Sequence, residues 1–353
     1  MDSRFLEMHS VVMEFFNDIL TDREVVQDIA NQIWNVLRNC DSISYNEKGV
    51  GYAYALLHFL DRFRRFQLTY ELLDKERLMP INGTKIDILD IGTGHGPSMY
   101  ALSDFYSEKK KKFNDLKIDI DYVERSTEFR SWLHHFTEFA NSRDFISYPW
   151  LVPFHLGNFE DFKGVEFNRR EMSWVNNLKP ITRVVKKRPN VVVFSNFLTT
   201  ANQVYEFSDE IRDCMRYLRN RGILVVVGAK YESGKYREVY DAINEILLNG
   251  KYGNHKFIAS CENVTPNNNR LLYSYSDDYG RKLKELYRVF LAAFENFEGV
   301  ELGGKEQGIL LNSSSDEYSK DIQWDVFVYR KKSTMRKRLT SQSTRTSLRS
   351  ACV

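Results

Sequence analysis

The sequence has few cysteines and no long apolar run, and each shortage excludes a class of protein. Its 353 residues include only four cysteines, which are scattered and form no CxxC pair. This pattern suits neither a disulfide framework nor a zinc site, and it favours a reducing, cytoplasmic compartment. No stretch of about 18 apolar residues occurs, so we expect no transmembrane helix and no membrane partner. The N-terminal apolar stretch contains acids, which is not typical of a signal peptide.

The chain has no net positive charge outside its C-terminus. The whole chain has a net charge of +2, but residues 330–353 contain eight Lys and Arg and no acid, so residues 1–329 carry −6. The body therefore has no general attraction for nucleic acid. We expect residues 333–353 to form a disordered basic tail, whose charge would suit nucleic acid or an acidic partner.

What the sequence does have is enough apolar material for a large core. Hydrophobic residues make up 42% and aromatics 14%. Residues 1–82 contain three segments with apolar side chains at helical spacing, which predicts an N-terminal helical region. Residues 83–332 then alternate short apolar runs with helical segments, which predicts an α/β domain with a mostly parallel sheet.

The most informative stretch is KIDILDIGTGHGPSMYAL, at residues 85–102. A short apolar run predicts a buried strand, three glycines follow within five residues, and Pro97 suits the first position of a helix. Glycine accepts positive φ and lets a ligand approach the main chain closely. The stretch is therefore predicted to be a strand, a tight turn and a helix whose start suits a polar or anionic ligand.

The spacing of these glycines separates two classes of ligand. The dinucleotide fingerprint is G-x-G-x-x-G, but its last glycine would fall on Pro97. The sequence instead has acid-x-G-x-G-x-G, formed by Asp90, Gly92, Gly94 and Gly96. This pattern resembles motif I of the class I S-adenosylmethionine-dependent methyltransferases. The resemblance implies a Rossmann-like, mostly parallel sheet of seven strands, with S-adenosyl-L-methionine as the cofactor.

The resemblance also implies roles for particular residues. The turn, including Thr93, would pass under the methionine part of the cofactor, and Asp90 would anchor that end of the site. Glu124, at the end of the second strand, would accept hydrogen bonds from the two ribose hydroxyls, with Asp121 close by and Arg125 flanking the site. The N-terminal helices would cover the cofactor or shape the acceptor pocket, with wall residues Tyr45, Tyr52 and Tyr54.

The third and fourth strands extend this expected site. The third is predicted at 151–156, and Asn158 and Phe159 after it would contact the adenine, although the family's usual acid is missing there. The fourth is predicted at 190–194 and is followed by Ser195, Asn196 and Phe197. Asn196 would orient the acceptor, whereas Ser195 and Phe197 would contact the cofactor. The segment lacks the proline motif of base-amino methyltransferases and the cysteine of cytosine-C5 enzymes.

The rest of the chain is expected to complete the sheet. Residues 163–188 are predicted to be a helix and loop, 249–280 an inserted loop, and 300–302 and 324–329 the last two strands. The histidines form no metal-ligand motif that we recognise, and we expect no metal. The predicted function is S-adenosylmethionine-dependent methyl transfer to an unidentified acceptor. The alternatives are a non-catalytic cofactor-binding protein of the same fold, a methyltransferase acting on RNA, and a nicotinamide-dependent oxidoreductase, which Pro97 disfavours.

Overall fold

The fold is described from a computed structural model of the chain. The structure describes residues 2–39, 44–81, 84–110, 116–142, 155–156, 168–175, 179–186, 188–195, 197–229, 234–248, 259–263, 276–312 and 324–331. Asn158, Phe159, Asn196 and the tail at 333–353, all named above, lie outside these ranges.

The helices and strands alternate along most of the chain. The helices are α1 (Ser3–Ile19), α2 (Arg23–Asn39), α3 (Val50–Lys75), α4 (Pro97–Lys110), α5 (Thr127–Ser142), α6 (Ala201–Glu206), α7 (Ser208–Tyr217), α8 (Gly234–Leu248), α9 (Ser276–Glu295) and α10 (Gly304–Asn312). The strands are β1 (Lys85–Ile91), β2 (Lys117–Val123), β3 (His155–Leu156), β4 (Asn168–Val175), β5 (Lys179–Lys186), β6 (Val191–Ser195), β7 (Ile223–Ala229), β8 (Ala259–Asn263) and β9 (Trp324–Lys331).

One large sheet organises the described residues. Its strand order is β3-β2-β1-β6-β7-β9-β8, and β9 runs antiparallel to both of its neighbours. The pairs β2–β3, β1–β2, β1–β6 and β6–β7 are all parallel. The prediction of an α/β fold with a mostly parallel sheet is therefore confirmed.

Both faces of this sheet are buried. Along β1, Ile86 and Ile88 belong to a core cluster with α1 to α5 and α9, whereas Leu89 and Ile91 belong to a second cluster with α7 and α8. Side chains alternate along a strand, so Asp90 lies on the same face as Ile88, under α3 and α4. A strand covered on both faces needs apolar residues on both, which explains the continuous run at residues 190–194.

The N-terminal helices cover one face of the sheet beside the turn after β1. Residues 3–75 form α1, α2 and α3, as the helical spacing predicted. Asp2 caps α1, because its side chain accepts a hydrogen bond from the main-chain nitrogen of Arg4 at 2.9 Å. Gly49, with φ of +83°, precedes α3. Within the described residues, no helix is long and apolar enough to cross a membrane.

Three predictions about elements need correction. Residues 163–188 were expected to be a helix and loop, but β4 and β5 form a separate antiparallel pair there. The stretch 249–280, expected to be a loop, contains β8 and the start of α9. Residues 300–302 are not a strand, because Val300 and Leu302 pack into the core from a loop and β8 takes the place beside β9. Of the third strand, expected at 151–156, the structure describes His155–Leu156 as a strand, and residues 151–154 lie outside the described ranges.

Candidate functional site

The glycine turn follows β1 directly and has a backbone that other residues rarely adopt. Gly92, Gly94 and Gly96 have φ values of +67°, +58° and +86°. The main-chain nitrogens of Gly92 and Thr93 donate to the carbonyl oxygen of Val123 at 2.8 and 3.3 Å, so the turn is fixed to the end of β2. Positive φ at three alternate positions explains why the sequence places glycine at each of them.

The surroundings of the three glycines differ. A Cβ atom at Gly92 would lie 2.4 Å from the Phe197 ring, and one at Gly96 would lie 2.5 Å from Leu133. A Cβ atom at Gly94 would have nothing within 4 Å. The protein therefore packs tightly against the outer two glycines and leaves the main chain of Gly94 facing open space, where a ligand can approach it.

Glu124 lies beside this open position because it follows the last paired residue of β2. Its Oε2 accepts from the Gly94 nitrogen at 2.7 Å, and its Oε1 accepts from the Ser126 nitrogen at 2.7 Å. Burial raises the pKa of Glu124, while these hydrogen bonds and Arg130 lower it. A carboxylate has about four acceptor positions, and the main-chain nitrogen of Arg125 is a third donor that lowers the pKa of Glu124, so part of its accepting capacity remains for a ligand.

Asp90 is the second carboxyl group of the site, and it is completely buried. Its Oδ2 accepts from the Thr93 hydroxyl at 2.8 Å, whereas its Oδ1 has no hydrogen-bond partner among the described residues. The pKa of Asp90 is raised to about 7: burial raises it most, hydrogen bonds from Thr93 and Ser98 lower it, and the charge of Glu124 adds a smaller upward shift. A buried oxygen without a partner is costly, so Oδ1 is a position where a bound donor would be stabilised.

The end of β6 contributes to the other side of the turn. The Phe197 ring packs on Gly92 and lies 6.3 and 5.7 Å from the rings of Phe194 and Phe207. Ser195 ends β6 and is partly exposed. Phe197 is thus held as a wall of the turn, while its contact with a cofactor stays a prediction.

The structure brings most of the predicted site residues around this one turn. Those adjacent to it are Asp90, Gly92, Thr93, Gly94, Gly96, Glu124 and Phe197. Arg125 flanks Glu124 with an exposed side chain, as expected from its place in the sequence. The adenine and acceptor residues predicted at 158, 159 and 196 fall outside the described ranges.

The N-terminal wall involves two of the three tyrosines predicted for it. The Tyr54 ring lies 5.0 Å from that of His95, which belongs to the turn, and the Tyr45 ring lies 5.4 Å from that of Phe129. The Ser126 hydroxyl also donates to the Tyr45 carbonyl oxygen. The Tyr52 ring lies 5.8 Å from that of Trp132, and its hydroxyl lies 3.1 Å from Nδ1 of His135, so its polar end is directed to α5 and not to the turn.

Sequence reasoning missed three residues that contact the turn or its wall. The Trp132 indole donates to the carbonyl oxygen of His95 at 2.9 Å. His58 and Arg62 both contact Tyr54: the His58 ring lies 5.0 Å from the Tyr54 ring, and the Arg62 guanidinium lies 4.9 Å from it. Positions 54, 58 and 62 are four residues apart, so their common face on α3 was a signal available in the sequence.

The described part of the chain contains no group of three or more His, Cys, Asp or Glu side chains placed to hold a metal ion.

Comparison with known proteins gives structural matches alone. No protein-family model and no curated protein sequence matches the chain. A methyltransferase from Geobacter sulfurreducens, solved with S-adenosylhomocysteine, is similar at 13% identity and a TM-score of 0.38, over 85% of this chain and 98% of that one. One from Thiobacillus denitrificans, also solved with S-adenosylhomocysteine, has 12% identity and a TM-score of 0.37, over 77% and 91%.

A third similar structure is the phosphoethanolamine N-methyltransferase 2 of Haemonchus contortus, also solved with S-adenosylhomocysteine. It has 12% identity and a TM-score of 0.39, over 82% of this chain and 60% of that one. All three are methyltransferases. Their identities and TM-scores are too low to carry an argument about function, so the function of this chain is inferred from its own site.

Proposed function

We propose that this chain binds S-adenosyl-L-methionine at the glycine turn and transfers its methyl group to an acceptor. The observation that carries this proposal is the open face of Gly94, which lies next to the buried carboxyl group of Glu124 and close to that of Asp90. A glycine main chain without side-chain cover, together with two acceptors, suits a ligand that has a cationic amine and a pair of vicinal hydroxyls.

The two carboxyl groups beside the turn would each hold one part of this cofactor. Glu124 would accept the two ribose hydroxyls with its remaining acceptor positions. The unpartnered Oδ1 of Asp90 would accept from the amino group, directly or through a water molecule. When bound, the cofactor supplies a sulfonium methyl group that is already activated for displacement, so alignment and exclusion of water are what the protein must add.

The residues around the turn are suited to excluding water. Tyr54, His95 and Phe129 are each buried, and their rings form one aromatic cluster over the turn. Trp132 fixes this cluster by its hydrogen bond to His95. The reacting centre therefore has a wall of buried aromatic rings on the α3 side.

A nicotinamide cofactor fits the chain less well. Pro97 begins α4 at the position where the dinucleotide fingerprint has its third glycine. The seven strands of the sheet, counted in chain order, are arranged 3-2-1-4-5-7-6, and the seventh is antiparallel. The dinucleotide fold has the order 3-2-1-4-5-6 and lacks this inserted strand.

The test is to incubate the purified chain with methyl-labelled cofactor and a cell extract, and then to separate protein, RNA and small molecules. We expect label in one fraction with the wild type and no label with Gly94→Ala. Label in the RNA fraction that disappears on removal of residues 333–353 would assign nucleic-acid binding to the basic tail. Measurable cofactor binding with no label in any fraction would contradict methyl transfer and support the non-catalytic alternative.

A further inference from the structure

One face of α3 presents polar groups to the site from above the glycine turn. Tyr54, His58 and Arg62 are spaced four residues apart and so lie on the same side of the helix. Tyr54 is the central member, because its ring lies 5.0 Å from the rings of both His58 and His95. We call Tyr54, His58, Arg62 and His95 the α3 subsite.

Arg62 is held rigidly in this subsite. Its guanidinium stacks over the Tyr54 ring at 4.9 Å, and Nη2 donates to the Tyr54 hydroxyl at 2.8 Å. A guanidinium has five N–H donors in a planar fork, so most of them are left for another partner. The stacking and the hydrogen bond hold the guanidinium in place, so less side-chain entropy is lost when a ligand binds to it.

Within the described part of the chain, Arg62 has no carboxylate in direct contact. Burial lowers the pKa of Arg62, whereas Tyr54 and then the charge of Asp61 raise it, so Asp61 compensates part of its charge from a distance. Arg65, on the next turn, forms an ion pair with Asp61 at 2.9 Å. Across the described ranges, no ion pair with a carboxylate is found for Arg62, although the side chain is only partly exposed. A guanidinium that is partly withdrawn from water and has no carboxylate in direct contact attracts an anion more strongly than a paired surface arginine does.

The two histidines add hydrogen-bonding groups without adding charge. Burial, and then the charge of Arg62, lowers the pKa of His58 to about 3 and the pKa of His95 well below its usual range. Both imidazoles are therefore neutral at neutral pH. His95 is 1% exposed, and its Nε2 has no partner among the described residues. The subsite thus combines one fixed positive charge with unused hydrogen-bonding capacity.

We propose that the α3 subsite binds an anionic group of the methyl acceptor, a carboxylate or a phosphate, with Arg62 as its main ligand. This assignment of the anion to the acceptor rests on the proposed function. The planar fork of arginine matches the two oxygens of either group. The subsite lies against the glycine turn through the contact of Tyr54 with His95, so an anion held there would place its molecule beside the cofactor.

The test follows the side-chain NMR signals of His58 and His95 in the full chain, assigned with His58→Gln and His95→Gln. Sodium phosphate and sodium acetate are titrated in separate arms against sodium chloride at constant ionic strength, with and without S-adenosylhomocysteine. We expect saturable shifts with one or both anions, and the responding arm identifies the anionic group. In Arg62→Met the apparent affinity should fall about tenfold or more, the effect of losing a charged hydrogen bond.

Arg38→Met is the matched control. Like Arg62, Arg38 stacks on an aromatic ring, since its guanidinium lies 5.4 Å from the Trp34 ring, but Arg38 is exposed and lies on α2. It should bind the anion as the wild type does. Arg62→Gln, checked by circular dichroism, replaces Arg62→Met if the latter does not fold.

No saturable shift in the wild type with either anion would overturn the proposal, as would unchanged shifts in a folded Arg62 variant. Calorimetry with S-adenosylhomocysteine separates this failure from that of the proposed function. Anion binding without cofactor binding would support the subsite and count against the cofactor site alone. Cofactor binding without any anion response would support the cofactor site and contradict the α3 subsite.

Discussion

The main-chain nitrogen of Gly94 donates to Oε2 of Glu124 at 2.7 Å, which joins the glycine turn to the end of the neighbouring strand. The two residues are 30 positions apart in sequence, and the parallel pairing of β1 with β2 brings them together. This bond holds the most open part of the turn at a fixed distance from the carboxylate. The site is therefore preorganised for a ligand that contacts both the Gly94 main chain and the Glu124 carboxylate.

Replacing Glu124 tests this relationship. Glu124→Ala removes the acceptor for the Gly94 and Ser126 nitrogens and for the proposed ribose hydroxyls. We expect the affinity for S-adenosylhomocysteine to fall by about 1–3 kcal/mol, the usual range for a lost charged hydrogen bond. Calorimetry measures this change. Glu128→Ala is the control, since Glu128 also accepts from a main-chain nitrogen, that of Gly49 at 2.9 Å, but lies on α5. Equal losses in the two variants would contradict the role of Glu124.

A second prediction concerns the contact between Gly92 and Phe197. Gly92→Ala would place a methyl group 2.4 Å from the Phe197 ring, so we expect a destabilisation of about 1–3 kcal/mol from overpacking, in addition to backbone strain. Phe197→Ala removes the ring atoms at 2.4 and 2.6 Å but keeps the Phe197 Cβ at 2.6 Å, so it should relieve part of the overpacking. The double variant should therefore be less destabilised than the sum of the single changes. Urea unfolding of all four proteins measures this coupling. Additive effects would show that Phe197 does not pack on the turn.

The buried carboxyl group of Asp90 predicts a particular dependence of stability on pH. Its pKa is about 7 in the folded chain against an ordinary value of 3.8, so the folded state binds more protons between these values. The free energy of unfolding should therefore fall as pH rises from about 4 to 7. A shift of this size corresponds to at most about 4 kcal/mol.

Asp90→Asn should remove this contribution while keeping an oxygen for the Thr93 hydroxyl. We expect the difference in unfolding free energy between pH 5 and pH 8 to be smaller in Asp90→Asn than in the wild type. Chemical denaturation at the two pH values provides the measurement. An identical pH dependence in both proteins would mean that Asp90 is not a buried titrating group.

The part of the site that could be predicted from the sequence depends on local chain geometry. Three glycines after a short apolar run predicted the turn, and the next apolar run placed Glu124 at the end of the adjacent strand. Both predictions use rules that act within a few residues or between neighbouring parallel strands. The aromatic wall of Tyr45 and Tyr54 was predicted only as a group, because packing partners are set by tertiary structure.

What could not be predicted depends on pairing between distant segments. In β4 and β5, charged residues interrupt the apolar ones, and this obscures the period of two that indicates a strand. Val300 and Leu302 alternate as strand residues do, yet β8 pairs with β9 instead. Arg62 was not identified because its position over the Tyr54 ring is set by tertiary structure. The sequence also does not show that Asp61 forms its ion pair with Arg65.

The most direct measurement of the central claim is calorimetric titration of S-adenosylhomocysteine into the wild type, Gly94→Ala and Gly299→Ala. Gly94 and Gly299 both have positive φ, +58° and +73°, so alanine introduces similar backbone strain of about 1–2 kcal/mol at each. Only the Gly94 side faces the proposed cofactor. We predict saturable binding to the wild type and to Gly299→Ala, and its loss in Gly94→Ala. Absence of binding to the wild type, or equal affinity in Gly94→Ala, would contradict the account.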